Sequence, residues 1–412
     1  MKKMLVPKLR FPEFRDTGEW GLKSLNQITT AIFDGTHQTP TYTENGVPFF
    51  SVENIVSGKL NKFISKDDYL VATNKNKPEK GDVLVTRIGN IGFSIVVDWD
   101  YEFSIYVTLA VVKKDDRFNS HYLHSFMQSG LYQTEIRSKS LLNAVPCKIN
   151  MDEFRKTKVL LPTLKEQQKI ANCLSSIDEL IRAQTQRFDT LKTHKKGLMQ
   201  QLFPRTSETI PRLRFPEFRE AGEWESTTFG KAATFINGKA YKQEELLESG
   251  KYRVLRVGNF FTNKEWYFSD LELESDKYCD KGDLLYAWSA SFGPRVWAGE
   301  KVIYHYHIWK IIEAAGIDKQ FLFILLDYET ERMKAESANG LGLLHITKGA
   351  IEGWECSIPK KEEQQKIADC LSSIDELISA QGQKLDTLKI HKKGLMQQLF
   401  PVADAASSEV VA

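Results

Sequence analysis

The chain has 412 residues, with 56 lysines and arginines against 54 aspartates and glutamates, which gives a net charge of +2. This length predicts two or three domains with sizeable cores, and the 42% hydrophobic and 27% charged fractions are typical of a soluble globular protein. The near balance of charge excludes attraction of a polyanion by the whole surface, so a nucleic-acid site would have to be a local patch.

No pattern in the sequence predicts export or membrane insertion. The amino-terminal lysines are not followed by the apolar stretch of a signal peptide, and the longest aliphatic and aromatic run, Phe321–Leu326, is far too short to span a bilayer. The five cysteines are widely spaced and form neither a disulfide framework nor a metal-binding pair. We therefore expect a reduced, cytoplasmic protein without a membrane segment.

The chain repeats one order of segments twice. The motif PKLRFPEFR at Pro7–Arg15 recurs as PRLRFPEFR at Pro211–Arg219, and a variable block and then a long helical segment follow each copy. We therefore predict a first block, a first helix, a second block, a second helix and a flexible tail, at residues 1–160, 161–204, 205–357, 358–401 and 402–412.

The two blocks differ in most residues but share a skeleton. KGDVLVTRIGNIG at Lys80–Gly92 aligns without a gap with KGDLLYAWSASFG at Lys281–Gly293. In both blocks short β-branched runs alternate with Gly, Asn and Asp turns, and a helix-like stretch follows at Tyr122–Arg137 and Phe321–Lys334. This pattern predicts two strand-rich α+β domains. Because the differences concentrate in loops, we expect recognition surfaces on a common scaffold.

The loops of both blocks carry side chains that suit contact with DNA. Arginine matches the major-groove edge of guanine and Asn or Gln that of adenine, whereas Lys, Ser and Tyr more often hold phosphates. In the first block the candidates are Thr36, His37, Gln38, Asn54, Arg87 and Asn90. In the second block they are Asn237, Lys239, Tyr241, Arg256, Asn259, Trp288, Ser289, Ser291, His305 and His307.

A structural role is the alternative for several of these candidates. Asn54 and Asn259 are residue types that form turns. Trp288 and Tyr306 are equally suited to packing as core aromatics within a strand. Each residue taken alone favours the structural role, and only the whole set favours DNA contact.

The two helical segments are nearly identical, since residues 166–204 and 363–401 differ at only six positions. Apolar residues alternate at spacings of four and three, which predicts a coiled-coil seam, and polar residues such as Lys195 and Lys392 interrupt it at equivalent places. The seam candidates are Ile170, Leu174, Ile177, Ile181, Gln184, Leu191 and Leu198, and then Ile367, Leu371, Ile374, Ile378, Gln381, Leu388 and Leu395. Thr163 and Glu166 form a predicted capping box at the start of the first helix.

We expect the two helices to pair with each other as an antiparallel coiled coil with internal twofold pseudosymmetry. The alternatives are that each helix packs on its own block or on another subunit. About 38 helical residues give a rod of about 57 Å, which corresponds to at most about 16 base pairs of duplex.

Motifs of catalysis are missing from the sequence. It contains no P-loop and no dinucleotide-binding fingerprint, and the Asn-Pro-Pro-Tyr type of clamp for adenine methylation is also absent. The acidic pairs Asp67–Asp68 and Asp115–Asp116 fall in predicted turns without a basic partner, so no metal nuclease centre is expected. We therefore predict neither catalytic residues nor a metal site.

The order of segments resembles the specificity (S) subunit of type I restriction-modification systems. The resemblance is carried by FDGTHQTP at Phe33–Pro40, by the repeated EQQKIA-x-CLSSIDELI, and by the KKGLMQQLFP endings. It implies that each block is a target recognition domain for one half of a bipartite, asymmetric site in double-stranded DNA. It also implies that the helices act as a ruler between the halves.

The same resemblance implies partners for the chain. Two M methyltransferase subunits would dock on the helices, and R subunits would add DNA translocation and cleavage. No cofactor is expected on this chain, because S-adenosylmethionine, ATP and Mg would be bound by those subunits. The alternative from another functional class is a duplicated coiled-coil adaptor that binds proteins only.

Overall fold

The computed structural model describes residues 6–205, 208–261, 264–289, 293–337 and 345–401. The predicted tail at 402–412 and the candidate Ser291 lie outside these residues. The chain divides into two compact units, one formed by Met1–Gln186 with Gln383–Ala412 and the other by Arg187–Gly382. In the described part of the chain, no helix combines the length and the apolar character needed to cross a membrane.

Short strands and helices alternate in the first unit. Its strands are β1 (Gly21–Ser24), β2 (Ile32–Asp34), β3 (Tyr42–Thr43), β4 (Val47–Phe50), β5 (Phe63–Ile64), β6 (Val83–Thr86), β7 (Ser94–Val96), β8 (Ser104–Ile105), β9 (Leu109–Val112) and β10 (Lys158–Leu161). Its helices are α1 (Leu25–Ile28), α2 (Val52–Ser57), α3 (Lys66–Thr73), α4 (Ser120–Met127), α5 (Gly130–Ser138), α6 (Met151–Lys156) and the start of α7 (Leu164–Leu202).

The main sheet of the first unit has the order β2-β9-β6-β7 with antiparallel neighbours. Every residue of β6 and β9 is buried, because one face of the sheet packs against α4, α5 and the helix pair and the other against the aromatic core around Phe103. A second sheet has the order β3-β5-β4-β8, in which β4 and β8 are parallel.

The second unit repeats this arrangement. Its strands are β11 (Glu225–Thr228), β12 (Ala233–Asn237), β13 (Tyr252–Leu255), β14 (Tyr267–Ser269), β15 (Tyr278–Cys279), β16 (Leu284–Ala287), β17 (Gly293–Val296), β18 (Val302–Tyr304), β19 (Ile308–Glu313) and β20 (Glu355–Ile358). Its helices are α8 (Phe229–Ala232), α9 (Val257–Phe261), α10 (Lys319–Ser337), α11 (Lys348–Glu352), the end of α7 from Arg187, and the first part of α12 (Lys361–Leu399), up to Gly382.

The main sheet, β12-β19-β16-β17, matches that of the first unit strand for strand. In the second sheet, β14-β13-β18 corresponds to β5-β4-β8, whereas the fourth strand differs, because β3 pairs with β5 and β15 pairs with β18. The prediction of two strand-rich α+β domains on one skeleton is therefore confirmed. The helix-like stretches differ in detail. Residues 319–337 form one helix, whereas the stretch in the first block is broken into α4 and α5, since Ser129 caps a new helix with its side chain.

The long helices pair in antiparallel fashion within each unit, as predicted. In the first unit, Ile170 and Leu174 of α7 share a core with Leu395 and Leu399 of α12, and Asp178 pairs with Lys392. In the second unit, the other halves of the helices pair, and Lys195 Nζ lies 2.7 Å from Asp375 Oδ1. The two lysines that interrupt the seam, Lys195 and Lys392, thus form ion pairs between the helices, and these pairs fix the register.

All the seam candidates are at least partly covered. The buried ones are Ile170, Leu174, Ile367, Leu371 and Gln381, and the half-buried ones are Ile177, Ile181, Gln184, Leu191, Leu198, Ile374, Ile378, Leu388 and Leu395.

The repeated RFPEFR motif anchors the helix ends. Arg10 holds the carboxylate of Glu166 at 2.7 and 2.8 Å, and Arg214 holds that of Glu363 at 2.7 Å for both bonds. The capping-box prediction is therefore only half right. Thr163 Oγ accepts the Glu166 N–H, but the Glu166 side chain binds Arg10 because a charged, two-pronged hydrogen bond is stronger than a neutral one.

Candidate nucleic-acid interface

A tight Asp-Gly or Asn-Gly turn follows β2 and β12 and is the common landmark of the two blocks. A Cβ atom at Gly35 would collide with the carbonyl oxygen of Ile105, and one at Gly238 with that of Tyr304. The residue after each glycine then bridges to the strand-end segment opposite, as Thr36 does with Tyr106 and Lys239 with His305. Only glycine permits this approach of two backbones, which explains why both blocks have it.

Asp34 organises the turn of the first block. Its Oδ2 lies 3.2 Å from Arg87 Nη1 and 3.1 Å from His37 Nε2. Arg87 also donates to the carbonyl of Val107 at 2.8 Å and is only 8% exposed. The guanidinium of Arg87 is therefore buried and bound to protein oxygens, which favours a structural role over the predicted contact with a base.

Asn54 is also buried and bound to protein groups, which favours a structural role over the predicted contact with DNA. It is 2% exposed, its carbonyl oxygen accepts hydrogen bonds from Ser51, and its amide nitrogen donates to Lys59 and Asn61. Asn259 occupies the equivalent position, accepts from the Arg256 N–H and donates to the carbonyl of Glu265. The turn-forming alternative applies to both asparagines, so the structure gives Asn259 a positioning role.

The remaining first-block candidates lie at the surface around the turn. His37 has 72% of its side chain exposed, and Gln38 and Asn90 are exposed while Thr36 is half-buried.

Beside these candidates lies a loop, residues 139–148, that sequence reasoning missed. Its Leu141, Leu142 and Val145 are 50%, 57% and 100% exposed. Backbone bridges tie this loop to Ile88 and Gly89. The signal for it was the run LLNAVP, an apolar stretch without helical or strand periodicity.

The second block has a cavity of about 550 Å³ where the first block has the Asp34 cluster. It collects the predicted residues Asn237, Trp288, Ser289 and His307. The lining residues that sequence reasoning missed are Trp309, His345, Ile346, Thr347 and Lys348. Four of the ten second-block candidates thus line one cavity, whose lining residues extend along the chain from Asn237 to Lys348.

Aromatic rings form the walls of this cavity. Trp288 and Trp309 are stacked, with ring centroids 5.9 Å apart and planes at 20°, and His307 meets Trp288 edge-on at 4.8 Å. The indole N–H of Trp309 donates to Asn237 Oδ1 at 2.6 Å, and that of Trp288 to the carbonyl of Tyr306 at 2.7 Å. Trp309 is buried and Trp288 half-buried, so Trp288 packs in the wall of the cavity while part of its ring stays accessible.

The other second-block candidates form a rim of aromatic and basic groups. Tyr241 stacks on His305 at 6.1 Å, Lys239 pairs with Glu245 at 3.3 Å, and Arg256 lies over the ring of Tyr267 at 4.9 Å. Burial lowers the pKa of His305 to about 4 and also lowers that of His307, with a further contribution from the positive charge of Arg256. Both imidazoles are therefore neutral near pH 7.

No cluster of three or more potential metal ligands occurs among the residues that the structure describes.

Comparisons with known proteins agree with this architecture. The family model of the type I restriction modification DNA specificity domain matches residues 18–193 and again residues 221–389. A type I restriction enzyme MjaVIII specificity subunit from Methanocaldococcus jannaschii is 26% identical over 377 residues, covering 87% of this chain and 86% of its own.

Two solved structures share the fold. The type I restriction-modification S subunit from M. genitalium superposes with a TM-score of 0.61 at 16% identity, covering 97% of this chain and 100% of its own. A chain from a study of complex assembly and conformational transition of the type I R-M system has a TM-score of 0.55 at 16% identity, covering 93% of this chain and 98% of its own.

Proposed function

The chain belongs to the family of type I restriction-modification specificity subunits, and from this premise we propose that it reads a bipartite, asymmetric DNA site. Each block binds one half-site. The chain itself is non-catalytic, and it acts in the cytoplasm, where its DNA substrate lies.

The observation that carries this proposal is the repeated turn with different surroundings. Gly35 and Gly238 hold equivalent backbones in contact, yet one turn is surrounded by His37 and Arg87 and the other by an aromatic cavity. Two surfaces with the same backbone turn but different side chains suit two half-sites of different sequence. An asymmetric site follows directly.

The long helices set the spacing of the half-sites in this proposal. Each helix has 39 residues and hence a length of about 59 Å. Ion pairs between the helices at Lys195 and Lys392 hold one register. We expect half-site centres one to one-and-a-half turns of DNA apart.

The helices also offer two equivalent places for a partner. Leu180 and Leu377 occupy the same position of the repeat and are 41% and 56% exposed. A repeated exposed leucine suits two copies of one partner, which we propose to be two M subunits, with R subunits completing the complex. S-adenosylmethionine, ATP and Mg would then be bound by those subunits, and the base that is methylated would be turned out of the duplex by M.

The test is to map methylated bases in host DNA after co-expression of the chain with its M subunit. The proposal predicts a bipartite motif in which replacement of one block changes one half only. A stable complex with M that produces no new methylation would contradict the proposal and favour the adaptor.

A further inference from the structure

The cavity of the second block is built by substitutions at positions that the first block fills. Trp288 stands where the first block has Arg87, since both residues follow the equivalent strands β16 and β6. Trp309 faces Asn237 across the ladder as Ala110 faces Asp34. Two indoles thus replace a guanidinium and a methyl group, and Asn237 replaces Asp34, at one end of the same sheet.

The lining of the cavity suits an uncharged, planar ligand. Its volume of about 550 Å³ lies within the range of about 300–1,000 Å³ that small-molecule sites occupy. Among the described lining residues there is no carboxylate, and Lys348 is the only lysine or arginine. Stacked indoles offer a π-face, and neighbouring polar groups supply hydrogen bonds.

Those polar groups retain capacity for a ligand. The Asn237 oxygen already accepts from Trp309, which orients its amide N–H groups as donors on an exposed residue. The Thr347 oxygen caps α11 by accepting from the Ala350 N–H, which leaves its hydroxyl proton to donate. His307 is neutral near pH 7 and can donate or accept.

The shape of the cavity decides how DNA would use it. Direct readout requires side chains that protrude into a groove and reach the edges of paired bases. Trp309 is only 2% exposed and cannot reach a groove from the wall of a cavity. A base would instead have to enter the cavity, where stacking on the half-buried ring of Trp288 compensates for the stacking that it loses in the duplex.

We propose that this cavity holds one base of the second half-site, turned out of the duplex and stacked on Trp288. This inference rests on the proposed function, because it requires the second block to bind DNA. The base is distinct from the one that M methylates. In the first block, Arg87 stands in place of Trp288 and is bound to Asp34, so we expect all bases of that half-site to stay in the stack.

The experiment is a mismatch scan of the purified complex with M, using duplexes that carry the motif found by methylation mapping. Only the strand opposite each tested base is altered, and the methyl-acceptor pair is left intact. A mismatch at an extruded base removes part of the cost of unpairing and should tighten binding by about tenfold. At every base read in the duplex, a mismatch should weaken binding by about fivefold or more.

The expected result is one tightening position in the second half-site and none in the first. Weaker binding at every position of the second half-site would overturn the inference while leaving the proposed function intact. Failure to find any bipartite motif would instead overturn the proposed function before the scan begins.

A second measurement assigns the base to Trp288. An abasic nucleotide at the tightening position should weaken binding by about tenfold in the unaltered complex. Trp288→Ala should abolish this difference between base and abasic site. The matched control is Trp266→Ala, which alters a half-buried indole of the other sheet and should keep the difference. Retention of the full difference in Trp288→Ala would overturn the inference.

Discussion

The two blocks place the same turn at the end of the same sheet but fill the space beside it differently. In the first block, the carboxylate of Asp34 binds buried Arg87 and exposed His37, and an apolar loop protrudes nearby. In the second, Asn237 binds Trp309 and an aromatic cavity opens. The backbone is the same at the two turns, and a few paired side chains set the chemistry of the surface beside each turn.

The paired side chains change together for a physical reason. A buried arginine requires a counter-charge, so Arg87 is accompanied by Asp34. An indole requires only a neutral acceptor, so Trp309 is accompanied by Asn237. A change of one partner alone leaves an unsatisfied group, so we expect the two members of each pair to change together.

The largest expected effect is the loss of stability when the arginine at the start of either long helix is removed. Arg10→Ala and Arg214→Ala each leave a carboxylate, Glu166 or Glu363, that is nearly inaccessible to solvent. Loss of a partner from a buried pair costs about 3–5 kcal/mol. Hydrogen exchange of the complex with M should show a similar loss of protection at the starts of α7 and α12, respectively. A large loss in one variant and none in the other would contradict the equivalence of the two anchors.

The next largest effect is a loss of stability that should differ between the two blocks. Asp34→Ala leaves Arg87 buried without its counter-charge and should cost about 3 kcal/mol. Asn237→Ala removes one neutral hydrogen bond to an indole and should cost about 1 kcal/mol. Hydrogen exchange of β6 and β9 in the first variant, and of β16 and β19 in the second, measures both. Equal costs would refute the distinction between a charged and a neutral pair.

A smaller effect depends on pH and on His124, a residue of α4 in the first unit. Its Nδ1 lies 3.0 Å from Ser94 Oγ, and burial lowers its pKa from the usual 6.5 to about 4. Between pH 6.5 and about pH 4, His124 is therefore protonated in the unfolded chain but neutral in the folded chain. Stability from this group is complete above pH 6.5 and is lost as the pH falls towards 4, by about 2–3 kcal/mol.

His124→Gln should flatten this loss, as followed by thermal unfolding between pH 7 and pH 5. The matched control is His121→Gln, which changes an exposed histidine of the same helix. An unchanged pH profile in His124→Gln would contradict the assignment.

The smallest effect tests the register of the helices. Lys195–Asp375 and Lys392–Asp178 are partly exposed pairs, so each should contribute no more than about 1 kcal/mol. Reversal of one pair, with Lys195→Asp and Asp375→Lys together, should recover most of the thermal stability lost in either single variant. A double variant no more stable than the single variants would argue against the antiparallel register.

The parts of the fold that the sequence predicted are those governed by local periodicity. The repeated a/d spacing indicated the helix pair, and the Gly-Asp strand motif indicated the common sheet. The break between α4 and α5 was missed because both helices present apolar faces, although the Ser129-Gly130 step was a visible sign of a new start.

The candidate site was less predictable because its partners are distant in sequence. Arg87 reads as a base-contacting residue until Asp34, 53 positions away, is found beside it. Trp309 enters the cavity from one segment, and His345 and Thr347 enter it from another. No local pattern specifies such convergence, whereas the turn around Gly35 was visible because a close approach of backbones demands glycine.

The most direct test of the account compares methylation motifs after side-chain changes in one block at a time. His37→Ala with Gln38→Ala should relax one half of the motif, and Trp288→Ala should relax the other half only, as mapped in host DNA after co-expression with M. This result would assign one half-site to each block. Changes in both halves from either set of substitutions would contradict the division of the site between the blocks.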